Sequence, residues 1–394
     1  MINLKELKAR PIYGYLKWLT LAQAAAFQGW NALYTNFAVE VANISGRDNG
    51  VIQSIREIPG LLGLGVVALL LVFKETSLSS LSILLCGLGV IGAGWFPTFH
   101  GQIFWTLILS LGFHYFEAIN QSLTLQHFKL IEAPLIISRL RSFNALGSLS
   151  MGLVILLFSV VLEKLDYRLL FGLAGSMAVV VGLWSFFHQP DSSNLPPQRR
   201  GLIFKKRYWL FYVLTGLSGA RRQIFSVFAI FLLVKHFHFT LTQMSLLFFF
   251  NHVVNWFLNP YIGLAINRVG ERKLLLAKYV LVLAICLTYV VCDNPILAAF
   301  LYVIDQLTFC FTISIRTFFQ KISLPEDIAP SMAMGVTVNH IMAVTVPFLG
   351  GFLWMLDRRL PFLLGVFFAL GSLIMAHFIS KDLKDFSLAS AGAR

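Results

Sequence analysis

GQIFWTLILSLGFHYFEAINQSLTLQ, residues 101–126, decides the fold class. The stretch exceeds the roughly 20 apolar residues that a helix needs to cross a bilayer. It also carries His114, Glu117, Gln121 and Thr124 at i, i+3, i+7 and i+10, with Asn120 beside them. At helical spacing these four share one face. Lipid penalises such groups, so that face must look into protein or a water-filled cavity while the rest meets apolar surroundings. The whole chain agrees. Of its 394 residues 57% are hydrophobic and only 12% charged, against about 25% charged in ordinary soluble domains, and mean hydropathy is +0.76. This excludes a soluble enzyme, a disordered chain and a disulfide-stapled secreted module. Long apolar runs in place of alternation exclude a membrane β-barrel. The reading is an all-α polytopic membrane protein.

Working outward, twelve spans are expected at about 16–42, 49–73, 78–97, 101–126, 139–162, 167–188, 208–235, 240–267, 273–293, 295–322, 328–356 and 360–380. Pro59, Gly60, Pro260 and Pro347 inside them predict kinks, which membrane helices tolerate. Basic residues followed by Ala22-Gln23-Ala24 mimic a signal peptide. The apolar stretch there is too long for one, so it reads as the first span. The Pro-rich, basic connection at 189–207 divides the chain into a six-span bundle at 1–188 and another at 208–394.

Lys and Arg orient the spans. With both termini and the even connections on one side, that side holds 22 of the 31 and the other holds six. Arg56, Arg221 and Arg222 lie within spans. The positive-inside rule then places both termini in the cytoplasm and the chain in the plasma membrane, or the inner membrane of a bacterium. The net charge of +13 is read as this orientation charge, and no nucleic-acid partner is expected. Cys86, Cys286, Cys292 and Cys310 sit inside apolar runs without a C-x-x-C pair, so no metal cluster or disulfide is expected.

Polarity repeats with a period of three. Spans three, six, nine and twelve are nearly pure apolar, with ionisable residues such as Lys278 and His377 toward their ends. The other eight carry polar groups deep inside. The clean spans are expected to face lipid and the others an interior cavity. Two halves built from such three-helix units are a transporter architecture.

Here the chain resembles the major facilitator superfamily, over nearly its whole length. Gly263-Leu-Ala-Ile-Asn267-Arg268-Val-Gly270-Glu271-Arg272 is similar to the family's G-x-x-x-D-R-x-G-R-[RK] loop, with Asn267 for Asp and Glu271 for Arg. The corresponding loop at Gly65 to Lys74 lacks the signature. Pro347-Phe-Leu-Gly350-Gly351 is similar to the family's antiporter motif, although it stands in span eleven and not span five. The resemblance implies that spans one, four, seven and ten border a central cavity, with two, five, eight and eleven flanking it. It also implies a cytoplasmic gate at Asn267, Arg268 and Arg272.

Further stripes are read from the residues. Span ten carries Asp305, Thr308, Thr312 and Arg316 on one face, and span eight Asn251, Asn255 and Asn259 beside His252. Span one has Gln28, Asn31 and Thr35 with Trp30 and Tyr34, span two Gln53, Arg56 and Glu57, and span eleven Asn339 and His340. Arg56 and Glu57 read as a structural ion pair. Arg221 and Arg222 lie about 100° apart on a helix, so both cannot face one cavity equally. The expected function is secondary active transport of a small organic solute, anionic or zwitterionic, by alternating access and coupled to protons. Asn31, Tyr34, Gln121, Arg221, Arg222, Asn251, Asn255 and Asn339 are the candidate solute contacts. Trp30, Tyr34 and Phe116 suit a ring-bearing part. Glu117 and Asp305 are the candidate proton carriers. A transition-metal reading uses His114, His252 and His340, because imidazole with carboxylate suits such ions. No phosphate-binding G-x-x-x-x-G-K-[ST], H-E-x-x-H or G-x-S-x-G exists, so no enzyme and no cofactor is expected. The expected partners are solute, protons and lipid bilayer, and the expected state is a monomer.

Overall fold

The computed structural model describes residues 6, 9–62, 69, 72–128, 132–161, 166–190, 204–324 and 327–391. Most of the 189–207 connection and of the Gly65–Lys74 loop lies outside the described residues. Twelve helices follow in chain order: α1 (Pro11–Glu40), α2 (Gly46–Leu61), α3 (Glu75–Trp95), α4 (Phe99–His127), α5 (Ala133–Val161), α6 (Tyr167–Phe187), α7 (Lys206–Lys235), α8 (Leu241–Val269), α9 (Glu271–Val291), α10 (Pro295–Ile322), α11 (Ile328–Leu356) and α12 (Leu360–Ala391). They match the twelve expected spans. Among the described residues eight are long and apolar enough to cross a membrane.

Local chemistry sets the ends. Thr98 Oγ1 caps α4 by accepting from Gly101 N at 3.1 Å. Asp166 and Asn294 do the same for α6 and α10, satisfying N–H groups that a helix start leaves open. Pro11 and Pro295 occupy first turns, where a missing N–H costs nothing. Two helices are irregular. In α7 a π-helical stretch covers Ile224–Ala229, directly after Arg221, Arg222 and Gln223. In α10 the turn tightens at Cys310–Ile313, with Phe311 N on Thr308 O and Thr312 N on Phe309 O.

The chain forms two compact units. The first comprises 1–44, 55–198 and 240–249. In it α3 packs along α4 and α6, and α1 along α5 and α6. Small residues let the backbones meet. A Cβ on Gly87 would lie 2.7 Å from the Gly175 carbonyl oxygen, and one on Gly89 would lie 2.3 Å from Leu109 N.

The second unit comprises 45–54, 199–239 and 250–394. Its pairings repeat those of the first: α9 along α12, and α7 along α11 and α12. Its core includes Phe211 stacked on Phe319 at 4.1 Å and Tyr289 on Phe362 at 4.8 Å.

The repeat extends to polar contacts. In the first unit Arg10 grips Glu132, in the loop before α5, at 3.0 and 3.2 Å. In the second, Lys205 lies 195 residues after Arg10 and grips Asp327, 195 residues after Glu132, at 2.6 Å. Tyr208, the counterpart of Tyr13, adds a 2.6 Å bond to Asp327. Glu75, at the start of α3, accepts from Ser122 and Gln126 of α4. Glu271, at the start of α9, accepts from Lys321 of α10 at 2.8 Å and from Thr317. Thr317 and Lys321 again follow Ser122 and Gln126 by 195 residues.

Of the ionisable residues toward the ends of the apolar spans, Lys278 stands two turns into α9. It is 3% exposed and bonded to Thr312. His377 is exposed, as its terminal position suggests.

Candidate functional site

In the first unit α1 and α4 build one wall. Phe27, Asn31 and Thr35, at four-residue steps, are partly exposed positions of α1. His114 of α4 is half-buried, Glu117 and Gln121 are exposed, and Thr124 is buried with its hydroxyl on Asn120 O. Phe27 stacks on Phe113 with centroids 4.2 Å apart, locking the two helices. Behind this wall Trp30 stacks on Tyr34 at 4.6 Å, and the Arg56 guanidinium sits 5.5 Å from the Trp30 ring. Both rings are buried, as is Phe116. Arg56 pairs with Glu57 at 2.5 Å, which is the ion pair read from the sequence. Glu57 and His114 bring ligand atoms within 4.8 Å of each other. Arg141 of α5 is the cation whose field reaches Glu117.

In the second unit the charges lie deeper. Arg221 is fully buried and Asp305 is 2% exposed, and the two form a direct ion pair. Lys278 Nζ donates to Thr312 Oγ1 at 3.0 Å, at the tightened turn of α10. Asp305 feels the fields of both cations. Arg222, one residue on, is only half-buried and lies 5.8 Å from the Phe309 ring. The two arginines therefore have different surroundings, as their 100° separation requires. Asn251 is buried, and both of its amide atoms are unpartnered among the described residues. Asn339 is half-buried and packs on Gly219, where a Cβ would come 2.5 Å from its Nδ2. His340 is half-buried and His252 exposed. The side chains of Asn255, Asn259 and Asn267 lie outside the described residues. Arg268 is exposed and Arg272 half-buried.

A profile of the Major Facilitator Superfamily matches residues 19–333. The chain belongs to the Major Facilitator Superfamily. Transporters of this superfamily are not enzymes, and the chain is a multi-pass membrane protein and secondary transporter. Its fold is similar to that of the nucleoside transporter NupG, at 16% identity and TM-score 0.72, over 94% of this chain and 99% of that one. It is also similar to a bacterial homologue of the human lysosomal transporter Spinster, at 12% identity and TM-score 0.71, over 96% and 99%. A third likeness is to the peptide transporter PepTSo of the POT family, at 12% identity and TM-score 0.73, over 95% and 98%. At such identities the likeness is one of fold. Comparison with curated proteins gives no match.

Sequence reasoning passed over Phe27, Phe113, Arg141 and Lys278 in this transporter. The aromatic pair had a signal, since Phe27 precedes Asn31 by one turn and Phe113 precedes Glu117 by one turn. Lys278 had the weaker signal of being a lone charge in an apolar span.

Proposed function

We propose that this transporter moves a small organic solute, anionic or zwitterionic, by alternating access coupled to protons. The observation that carries the reading is Glu117. It is an exposed carboxylate on the polar face of α4, with no ion pair among the described residues, whereas Glu57 is tied to Arg56. A membrane carboxylate held in no ion pair can load and release a proton, so Glu117, within the field of Arg141 but not paired among the described residues, is the proposed carrier. Asp305, held by Arg221, is the second candidate. Arg222, half-buried beside the Phe309 ring, takes the anionic part of the solute. Asn31, Gln121, Asn251, Asn255 and Asn339 supply polar contacts, Tyr34 backs the wall, and Phe27 and Phe113 offer faces to an apolar ring. Asn267, Arg268 and Arg272 form a gate on the cytoplasmic side, and the 189–207 connection joins two six-helix halves with both termini in the cytoplasm.

Proteoliposomes with an imposed proton gradient test this, using nucleosides, dipeptides and small carboxylates as probes. The expected result is gradient-driven accumulation of one class, lost in Glu117→Gln while solute exchange persists. Accumulation by Glu117→Gln equal to that of the unaltered protein removes Glu117 as carrier and promotes Asp305.

A second reading is transport of a transition-metal ion, favoured by the approach of Glu57 and His114. Arg56 competes with any cation for the Glu57 carboxylate, which weighs against it. Uptake of Zn²⁺ by the same vesicles would establish it.

A further inference from the structure

The cluster of Arg221, Lys278 and Asp305 holds two formal cations and one anion, each at most 3% exposed. All three belong to membrane-spanning helices of the second unit. The cluster is also short of acceptors. Arg221 Nε and one Nη have no partner among the described residues. Lys278 has Thr312 Oγ1. A buried ion pair holds only when its remaining donors and charges are met. Here one positive charge and several N–H groups are in excess.

We propose that Lys278 is a proton-exchanging group of this transporter, taking the buried cluster between a net charge of one and zero. The three members differ in what they can do. A guanidinium keeps its proton under any condition the protein meets. Asp305 is committed to Arg221. An amine can give up a proton, and in doing so it turns a donor into an acceptor in a site that lacks acceptors. The surroundings suit a group that changes charge. Lys278 faces Arg221 of α7, with Asp305, Cys310 and Thr312 of α10. Tyr279 on its own helix is buried, with its hydroxyl unpartnered among the described residues. On α10, Arg316 is exposed and Lys321 is held by Glu271. On α12, His377 is exposed and bonded to the Leu373 carbonyl. Thr312 lies in the tightened turn of α10, and Arg221 just before the π-helical stretch of α7. Both partner helices are therefore irregular where they meet the cluster, and such irregularities mark places where a helix can adjust.

Its part in transport rests on the proton-coupled reading above, but the test needs no solute. The purified protein is melted in detergent from about pH 6 to about pH 10, beside Lys278→Met and Lys278→Arg. Methionine cannot bind a proton and arginine cannot lose one. The expected result is a gap in melting temperature between the unaltered protein and Lys278→Met that changes by a few degrees across the range. The gap between the Arg and Met variants stays constant. If the first gap is equally constant, Lys278 is a fixed charge and the proposal fails. Should Lys278→Met not fold, Lys278→Gln takes its place, and the unaltered protein against Lys278→Arg gives the same contrast. Absence of proton-driven uptake would refute the transport reading and leave these melting curves to decide the proton site.

Discussion

Removing the single anion of the buried cluster should cost more than removing either cation. Asp305→Asn leaves Arg221 and Lys278 facing each other with no counter-charge among the described residues. Breaking a buried pair by deleting one partner costs about 3–5 kcal/mol, because the survivor's charge stays desolvated. Arg221→Met is different. Asp305 keeps the field of Lys278, the cluster becomes neutral, and the loss is that of a charged hydrogen bond, about 1.5–3 kcal/mol. Lys278→Met leaves the Arg221–Asp305 pair intact and removes the bond to Thr312, about 1 kcal/mol. The expected order of destabilisation is Asp305→Asn, then Arg221→Met, then Lys278→Met. Thermal unfolding in detergent, with monodispersity checked by size exclusion, reads that order. A triple variant, Arg221→Met with Lys278→Met and Asp305→Leu, should recover most of the loss, because apolar packing can replace a buried ionic group. The double variant that keeps Lys278 should not, because it leaves a buried amine that must either hold its charge unpaired or give up its proton. Equal melting temperatures for Asp305→Asn and Arg221→Met would refute the charge count. That result would mean that another anion compensates the cluster.

Asp327 accepts from Lys205 and then Tyr208, which together hold its carboxyl below its ordinary value of 3.8. Its contribution is therefore present above pH 3.8 and lost as pH falls through the folded-state value, so the melting gap between the unaltered protein and Asp327→Asn should close toward acid. A gap that widens there would mean that the bond is not ionic. Arg10→Glu should loosen the first unit and be rescued by Glu132→Arg, since the pair is close and two-pronged. Without rescue in melting temperature, the pair does not act as a clasp. Gly89→Ala puts a Cβ about where Leu109 backbone stands and should cost about 1–3 kcal/mol by overpacking, seen as a lower melting temperature and yield. An unchanged value would mean that α3 and α4 can part freely.

Much of the fold was legible because lipid is a severe filter. Twelve apolar runs had to be helices, and most of their ends fell within a few residues of the observed ones; the second span, expected at 49–73, is helical over Gly46–Leu61, and the twelfth, expected at 360–380, runs over Leu360–Ala391. The site was legible only in part. Arg56 beside Glu57 is a local fact of sequence, and it is an ion pair in the structure. The inequality of Arg221 and Arg222 followed from the angle between successive helical residues. Which of the two is buried did not follow, because that depends on Asp305, far along the chain and on another helix. The burial of Lys278 was not legible for a related reason. A lysine two turns into an apolar helix can reach outward to the interface along its stem or fold inward to a partner. The difference lies wholly in Thr312, Arg221 and Asp305, which no local pattern connects to it.

The repeat of 195 residues explains why the polar ends of the two units escaped notice. A search for identical residues would find Arg10 opposite Lys205, Glu132 opposite Asp327, Ser122 opposite Thr317 and Gln126 opposite Lys321, and count four mismatches. In contact terms there are none. Each pair keeps the role of donor or acceptor and meets the same partner position, although Gln126 is neutral where Lys321 is a cation. Selection on a helix end acts on whether a carboxylate has a donor within reach, and arginine or lysine, glutamine or lysine, serine or threonine can each be that donor. What must be kept is reach and a donor for the carboxylate. The departures then carry meaning. Asp305, Lys278 and Arg221 have no charged counterparts at the matching depth of the first unit, where Ser110, Ser82 and Ala26 stand with Lys278 aligned one residue further on, as Glu271 is with Glu75. In the other direction, Glu117 of the first unit corresponds to Thr312 of the second, the acceptor of Lys278. The two units therefore share a scaffold at their ends and differ in their ionisable interiors. The exposed Glu117 carboxylate of one unit and the buried Arg221, Lys278 and Asp305 of the other are among the groups that set the unit interiors apart.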